Sequence, residues 1–239
     1  MTETPPEDAR ADTHSAKPLG GLRSFLKEYL IIVIGVLTAL GAQQAAEAVH
    51  TANQAREAEV RVRAEAARSL ANAQERVAVS PCIEAKLAKI RELLTTGDGD
   101  IPLLPNLGSP PARPYSAAEW DAAVTAGLHE HFPMPERAVL PLIALETGVL
   151  SEGQLKEREH WLRLSALTGY ARRLNSVTRE DLLQTTVLAR RMNLDLTSIS
   201  EQLVANARQA GIKPLERDPD GKPTTSIEQF RKVGCRPWP

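Results

Sequence analysis

Two short stretches combine histidine with glutamate, residue types that bind metals and transfer protons in enzymes. In the first stretch, His129 and His131 flank Glu130. A helical zinc pair needs histidines at positions i and i+4, whereas side chains at i and i+2 point to different sides of a helix. Only an extended backbone would turn both histidines toward one ion. The spacing therefore favours the end of a surface helix, and we predict no metal and no other cofactor.

The second stretch contains Glu157, Glu159 and His160, which have the chemistry of a general acid and base. No nucleophile accompanies them, and the chain lacks the signature motifs of hydrolases, nucleotide-binding proteins and zinc proteases. We interpret the three side chains as ordinary charges on a helix face. The sequence accordingly predicts a protein that is not an enzyme and has no catalytic residue.

Other charged residues also fall short of a binding motif. Asp98 and Asp100 resemble the first ligands of a calcium loop, but the remaining ligands and the terminal glutamate are missing. The arginine pairs 172–173 and 190–191 have the charge to bind an anion, but acidic neighbours such as Asp195 dilute their field. We therefore assign no ligand-binding residue from the sequence.

The two cysteines, Cys82 and Cys235, give the sharpest hypothesis. They match neither a zinc cluster nor a CxxC redox motif. In an oxidising compartment they would pair, and a bond closing so long a loop contributes up to about 5 kcal/mol in the chain-entropy model. If the domain were cytoplasmic, two buried thiols would be the default instead. We predict the disulfide, because both cysteines lie in the part of the chain that we expect to be exported.

That expectation comes from the uncharged segment Tyr29–Ala46, whose first part is apolar apart from Thr38. A bilayer core is spanned by about 20 mostly apolar helical residues. Upstream apolar residues extend this segment, so we predict one transmembrane helix over residues 21–46. A cleaved signal peptide is the rival interpretation, because small residues suit cleavage near positions 41 and 46. The helical pattern continues through both positions, which favours an uncleaved anchor.

The flanks of this helix predict its orientation. Lys17, Arg23 and Lys27 precede the apolar segment, whereas Arg56 is the basic residue that follows closely. Positive charge is retained on the cytoplasmic side of a membrane. We therefore expect a bacterial inner-membrane protein that crosses once, with its N-terminus in the cytoplasm and its C-terminal domain in the periplasm.

The anchor also carries a resemblance. Residues 25–40, FLKEYLIIVIGVLTAL, are similar to the opening FLxEYxxIVxGVLxAL of a group of uncharacterised proteobacterial membrane proteins. Members of that group continue with an Ala/Glu-rich helix and a cysteine near the position of Cys82. The resemblance implies a single-pass membrane protein. It implies no activity and no functional residue.

The rest of the chain has the alanine, leucine, arginine and glutamate content of long helices, so we predict an all-α fold. The expected parts are a disordered cytoplasmic tail (1–20), the transmembrane helix (21–46), a helical stalk (47–80), a helical bundle (81–213) and a C-terminal tail tied back to the bundle (214–239). We expect the helix to stop at Ser80-Pro81 and another to stop near Gly148. A heptad pattern follows Thr178 and ends at Gly211.

Finer expectations concern the faces and caps of these helices. The stalk face is predicted to consist of Ala64, Ala67, Leu70, Ala71, Gln74 and Val77. Ser116 and Glu119 have the spacing of a capping box, in which each side chain satisfies a free amide at the start of a helix. The leucines at 103, 104 and 107 are expected to fold back onto the domain.

Composition limits the partners. The net charge is −1 and the isoelectric point is about 6.5, whereas nucleic-acid-binding domains are usually basic. The expected partners are therefore the lipid bilayer and either another envelope protein or a second copy of the chain, with no nucleic acid. The sequence predicts a non-enzymatic, membrane-anchored interaction or sensory module. The alternatives are an accessory or scaffold subunit of an envelope complex, with the alanine-rich face of the stalk as its docking surface, and, less favoured, a small envelope enzyme.

Overall fold

The computed structural model describes residues 21–96, 100–101, 104, 107–168, 172–215 and 235. The tail expected over residues 1–20 and a short helix expected over 225–232 lie outside these ranges. The chain divides into two compact units, Met1–Thr51 and Ala52–Pro239. The first unit carries the apolar segment, and the second contains the packed core.

The described residues confirm the all-α prediction. Their four helices are α1 (Gly21–Thr96), α2 (Ala118–Thr125), α3 (Met134–Leu164) and α4 (Ser176–Gln209), with 3₁₀ turns at Leu128–His131 and Ser165–Leu167. Two short strands, β1 (Asp100–Ile101) and β2 (Arg172–Arg173), pair in antiparallel register. Next to them, Leu104 and Leu107 are buried, which confirms the expected return of this loop. Leu103 lies outside the described residues.

The core of the second unit lies between α1, α3 and α4. One cluster joins α1 residues 55–73 to α3 residues 139–150 and to the C-terminal half of α4. The other joins α1 residues 79–94 to the end of α3 and the start of α4. In this unit α3 therefore runs in the same direction as α1, and α4 runs in the opposite direction.

The buried seam of α1 differs from the predicted one. Of the six predicted positions only Leu70 is buried, and Ala64 is exposed. The observed seam has residues three or four apart: Ala55, Ala58, Val62, Glu65, Ser69, Ala73, Arg76, Ser80, Ile83, Leu87, Ile90 and Leu94. The prediction was wrong because the face was chosen for its alanine content, whereas the seam that packs also contains the polar residues Glu65, Ser69, Arg76 and Ser80.

The predicted helix stops at Ser80-Pro81 and Gly148 were also wrong. α1 contains Pro81 in its interior, and α3 continues through both Pro141 and Gly148. A proline inside a helix loses one backbone hydrogen bond and costs about 3 kcal/mol. Here Val79 and Ile83 are buried in the core on either side of Pro81, and burying such side chains contributes about 1.5–3 kcal/mol each. Tertiary burial therefore overrides the local breaker.

The first turn of α2 is capped from another helix rather than by the predicted capping box. The carboxylate of Glu65, in α1, accepts a hydrogen bond from the Ser116 hydroxyl (2.6 Å) and another from the Glu119 amide (3.0 Å). Glu119 itself pairs with Arg61. A carboxylate at a helix N-terminus is favourable because free amides and the helix dipole converge there. Glu65 thereby attaches α2 to α1.

The ends of α4 follow from short-range rules. Its N-cap is Asn175, whose side chain accepts a hydrogen bond from the Thr178 amide, so the helix begins at Ser176, just before the expected Thr178. At the other end, Gly211 has a φ of 65°, and Ile212 donates to the Ala207 carbonyl. These are the features of a Schellman motif. The heptad pattern between these ends is confirmed, with buried Leu182, Thr185, Ala189, Leu196 and Leu203.

The contact between α3 and α4 at Gly153 generates a stability prediction. A Cβ atom at Gly153 would lie 2.5 Å from Cδ2 of Leu196, which is itself buried. We expect Gly153→Ala to lower the free energy of unfolding by about 1–3 kcal/mol through overpacking. Chemical unfolding of the detergent-solubilised chain, followed by circular dichroism, measures this.

Gly148→Ala is the matched control, because a Cβ atom added at Gly148, in the same helix, would have nothing within 4 Å. It should raise the free energy of unfolding by up to about 1 kcal/mol, the helix-propensity difference between the two residues. Equal stabilisation by both substitutions would contradict the close α3–α4 packing.

Candidate functional site

The first unit presents an apolar surface that the protein itself does not cover. Large apolar side chains of α1 from Leu22 to Leu40 have exposures between 52% and 75%. Within the described residues, α1 is the one helix long and apolar enough to cross a membrane, and none of its apolar window is buried. Soluble proteins rarely expose an apolar patch of more than a few hundred Å². This surface therefore matches the requirements of a lipid-facing helix.

The few polar groups of this segment are satisfied locally. The hydroxyl of Thr38 donates to the Ile34 carbonyl one turn earlier, at 2.8 Å. Such a bond leaves no free donor in hydrocarbon, where an unsatisfied polar group costs several kcal/mol. Phe25 and Tyr29 stack with ring centroids 6.3 Å apart, and Gln43 bonds to Glu47 where polar residues resume. These features fit the two borders of a span, where aromatic side chains are enriched.

The second unit contains a buried polar network that connects three helices. Both terminal nitrogens of Arg76 (α1) donate to the carboxylate of Glu157 (α3), at 2.6 and 2.7 Å. Arg76 also donates to Oδ1 of Asn193 (α4) at 2.8 Å. The Thr197 hydroxyl donates to the Ser80 hydroxyl, at 2.7 Å, and thereby returns the network to α1. The side chains of the ion pair are only 6% and 4% exposed.

Sequence reasoning missed this network and misplaced Glu157. The interpretation of Glu157, Glu159 and His160 as charges on a helix face is wrong for Glu157, which is buried, whereas Glu159 is exposed and His160 is partly buried. Glu157 cannot act as a proton donor or acceptor for a substrate, because both its oxygens bond to Arg76. The heptad register of α1 is the signal that would have placed Arg76 in the core.

The remaining sequence candidates are not brought together. His131 is exposed, and His129 lies edge-on to Trp120 with ring centroids 6.0 Å apart. Among the described residues, no three histidine, cysteine or acidic side chains are grouped so that they could bind a metal. The guanidinium of Arg190 pairs with Glu84, and that of Arg191 pairs with Asp195. Asp98 and the side chains of residues 100, 172 and 173 lie outside the described part of the chain.

The two cysteines do meet. Cys82 and Cys235 form a disulfide whose Cα atoms are 5.1 Å apart, although they are 153 residues apart in sequence. Such a separation lies within the usual range of 4.4–6.8 Å. Since α1 continues through Pro81, the bond fixes Cys235 to the middle of a long helix rather than to the start of a new one.

Two partly buried acidic side chains, Glu59 and Glu146, have raised pKa values. Burial, followed by the neighbouring Glu136 carboxyl, raises the pKa of Glu59. Burial also raises the pKa of Glu146, and a hydrogen bond from Asn206 at 2.7 Å partly opposes this shift. Glu136 pairs in turn with Arg63. These groups lie where α3 meets α1 and α4, so protonation there is coupled to folding.

Tyr115 is the most displaced titrating group. Burial raises its pKa to about 12, so the phenol is neutral throughout the physiological range. It lines a small cavity with Arg76, Arg113 and Gln154. The amide of Gln154 donates to the Arg113 carbonyl and its oxygen accepts from the Arg113 amide, at 3.0 and 2.8 Å. This arrangement attaches the loop before α2 to α3, which is a structural role.

No protein-family model, no curated protein and no solved structure matches this chain. Functional inference therefore depends on its own residues.

The Arg76–Glu157 pair generates a second prediction. We expect Glu157→Leu to lower the free energy of unfolding by about 3–5 kcal/mol, because it leaves the Arg76 charge buried without its partner. Adding Arg76→Met should recover most of this loss, because burying two apolar side chains costs little. Urea unfolding of the single and double variants measures both effects.

Arg191→Ala serves as the control, because it removes an ion pair whose arginine side chain is 77% exposed. Its effect should stay within about 1 kcal/mol. A small loss for Glu157→Leu, comparable to this control, would mean that the buried pair is not formed.

Glu146 generates a prediction about pH. Its pKa is raised in the folded state. Its contribution to stability is therefore fully present below the unfolded-state pKa, near 4.5, and is lost as the pH rises through the folded-state value. Glu146→Gln retains an acceptor for Asn206 without the charge. This variant should be more stable than the parent at pH 7, and the difference should shrink as the pH falls toward 4.5.

Thermal unfolding across this pH range provides the measurement. Glu152→Gln, at an exposed position of the same helix, is the control for removing one carboxylate from α3. A Glu146→Gln variant less stable than the parent at neutral pH would contradict the burial of an ionised carboxyl.

Proposed function

We propose that this chain is a single-pass membrane protein whose second unit is a non-enzymatic interaction or sensory module in the periplasm. The observation that carries the proposal is the uncovered apolar surface of α1 between Leu22 and Leu40. Burying it in hydrocarbon is favourable by roughly 25 cal/mol for each Å² removed from water. The absence of charged side chains from Tyr29 to Ala46 is consistent with this role.

The disulfide supports a periplasmic second unit. Such bonds persist in oxidising compartments and are rare in the cytoplasm. The basic residues Lys17, Arg23 and Lys27, before the span, independently favour a cytoplasmic N-terminus. The two arguments agree on one orientation, although one depends on redox chemistry and the other on membrane insertion.

A binding role is supported better than catalysis by the way the polar groups are used. An open groove of 550 Å³ lies between α1 residues 84–95 and α4 residues 186–190. Among the charged residues that line the groove, Glu84 forms an ion pair with Arg190. The groove has mixed charge, and its two threonines, Thr95 and Thr186, donate to backbone carbonyls of their own helices. Covalent catalysis of acyl or phosphoryl transfer instead needs a nucleophile paired with a base.

The role of an accessory or scaffold subunit has weaker support. In the sequence-based form of that hypothesis, the alanine-rich face of the stalk was the docking surface. Of the alanines predicted for that face, Ala67 packs against the core of the same unit and Ala71 is partly buried, whereas Ala64 is exposed. Little of the predicted face is therefore left for a partner.

Fractionation of bacterial membranes tests the anchor and its orientation. We expect the chain to remain in the pellet after carbonate extraction and to retain residues before Tyr29 on N-terminal sequencing. In the same preparation, tryptic digestion without reductant should release a linked peptide containing Cys82 and Cys235. The physical reasons are hydrocarbon burial of the span and oxidation in the periplasm.

Membrane fractionation and the search for the linked peptide can each contradict a different part of the proposal. A soluble chain that begins near residue 42 or 47 would show that the segment is a cleaved signal peptide. Two free thiols in a carbonate-resistant chain would leave the anchor intact and overturn the orientation. Alkylation of free thiols before lysis prevents disulfides from forming afterwards, and a variant with Ser in place of both cysteines identifies the linked peptide.

A further inference from the structure

The start of α3 meets α1 at a cluster of two carboxyl groups and one guanidinium. Glu136, in the first turn of α3, forms an ion pair with Arg63 of α1 through its Oε1 atom. Arg63 also donates to the carbonyl of Ala210, at the C-terminal end of α4, at 3.4 Å. Glu59 lies four residues before Arg63 and therefore on the same face of α1. The cluster thus joins three helices.

The second carboxylate oxygen of Glu136 is a buried hydrogen-bond acceptor that lacks a donor. This atom, Oε2, has no hydrogen-bond partner among the described residues. The carboxyl group of Glu59 lies within hydrogen-bonding reach of Glu136, but an ionised carboxylate has no proton to donate. A buried acceptor without a donor is unfavourable. The cluster therefore gains a hydrogen bond when Glu59 takes up a proton.

The environment of the two carboxyl groups places this proton on Glu59. The free amides in the first turn of α3 favour a negative charge on Glu136, which also pairs with Arg63. Burial raises the pKa of Glu59, and the hydrogen bond and the charge of Glu136 raise it further. The charges of Arg63 and Arg56, both on α1, oppose this shift. From α4, the Ala210 carbonyl takes part through Arg63.

We propose that Glu59 and Glu136 share one proton when the pH falls, and that this proton fastens the start of α3 to α1. The proposal deepens the sensory role proposed above and rests on it, because the stimulus is the proton concentration in the compartment that contains the second unit. The Arg76–Glu157 pair lies far along α3 from this cluster. The response is therefore a local opening of the first turns of α3 rather than unfolding of the bundle.

The direction of the response follows from the raised pKa of Glu59 in the folded state. The stability that the shared proton adds is fully present below the unfolded-state value, near 4.5, and is lost as the pH rises through the folded-state value. Glu59→Gln places an N–H donor at the same position at every pH. This variant should therefore behave like the protonated state.

Hydrogen exchange of the full chain in detergent, near pH 4.5 and at pH 7, tests the proposal. The background is a Glu146→Gln chain, because Glu146 is a second carboxyl group of α3 with a raised pKa. Rates are corrected for the intrinsic pH dependence of amide exchange. Protection of the first turns of α3 should be about two- to tenfold higher at the lower pH, which is the effect of one net hydrogen bond.

In this background, Glu59→Gln should keep the higher protection at both pH values. Glu57→Gln is the matched control, because Glu57 lies two residues earlier on α1 and is exposed. It should retain the pH dependence of the background chain. A Glu59→Gln chain that retains the same pH dependence would overturn the proposal, and so would a background chain whose protection does not rise at the lower pH.

The outcomes separate this proposal from the proposed function. Protection that does not change with pH, in a chain that resists carbonate extraction and contains the linked cysteine peptide, would overturn the shared proton and leave the membrane-anchored module standing. A soluble chain or two free thiols would instead overturn the anchor or the orientation, whatever the exchange experiment shows. The exchange experiment uses purified chain, so its result does not depend on the compartment.

Discussion

The ion pair between Arg76 and Glu157 is the interaction on which the second unit depends. Two charges removed from water are tolerated only when they meet with good geometry and their remaining hydrogen bonds are satisfied. When α1, α3 and α4 are all in place, both terminal nitrogens of Arg76 bond to Glu157 and Asn193 supplies a further acceptor, so that among the described residues Nε is the one nitrogen of the guanidinium without a hydrogen-bond partner. A slip of one turn along any helix would separate the charges inside the core. The pair therefore specifies the register of all three helices.

A buried ion pair that specifies helix register is useful in this chain. The first half of the α1 seam is built largely from alanine, as at Ala55, Ala58 and Ala73. Small side chains pack closely, but they bury little area and discriminate poorly between registers. A polar residue within an apolar seam disfavours the wrong helix registers, although it lowers the stability of the packing. Glu65 acts similarly near the other end, because its carboxylate caps α2 and attaches that short helix to α1.

Sequence reasoning succeeded where one local signal determined the outcome. The α4 heptads, the Gly211 stop and the apolar anchor segment are of this type, since each depends on periodicity or composition within one stretch. It failed where tertiary contacts compete with local preference. Pro81 and Gly148 are helix breakers by propensity, yet both lie inside helices whose flanking residues are buried. Glu157 was assigned to the surface and Arg76 was given no role, because a single sequence does not show that two distant charges meet.

In the second unit, some charged residues lie in the core and some leucines lie on the surface. Charged groups that would ordinarily be solvated, such as Arg76 and Glu157, lie in the core, whereas Leu142 and Leu145 lie on the surface of α3. A core need not contain ions to be stable, and a surface need not contain leucines at heptad spacing to be soluble. The buried charges restrict the bundle to one internal arrangement. That restriction determines which face of α3 packs against α1 and α4, and Leu142 and Leu145 therefore stay on the opposite, exposed face of the helix.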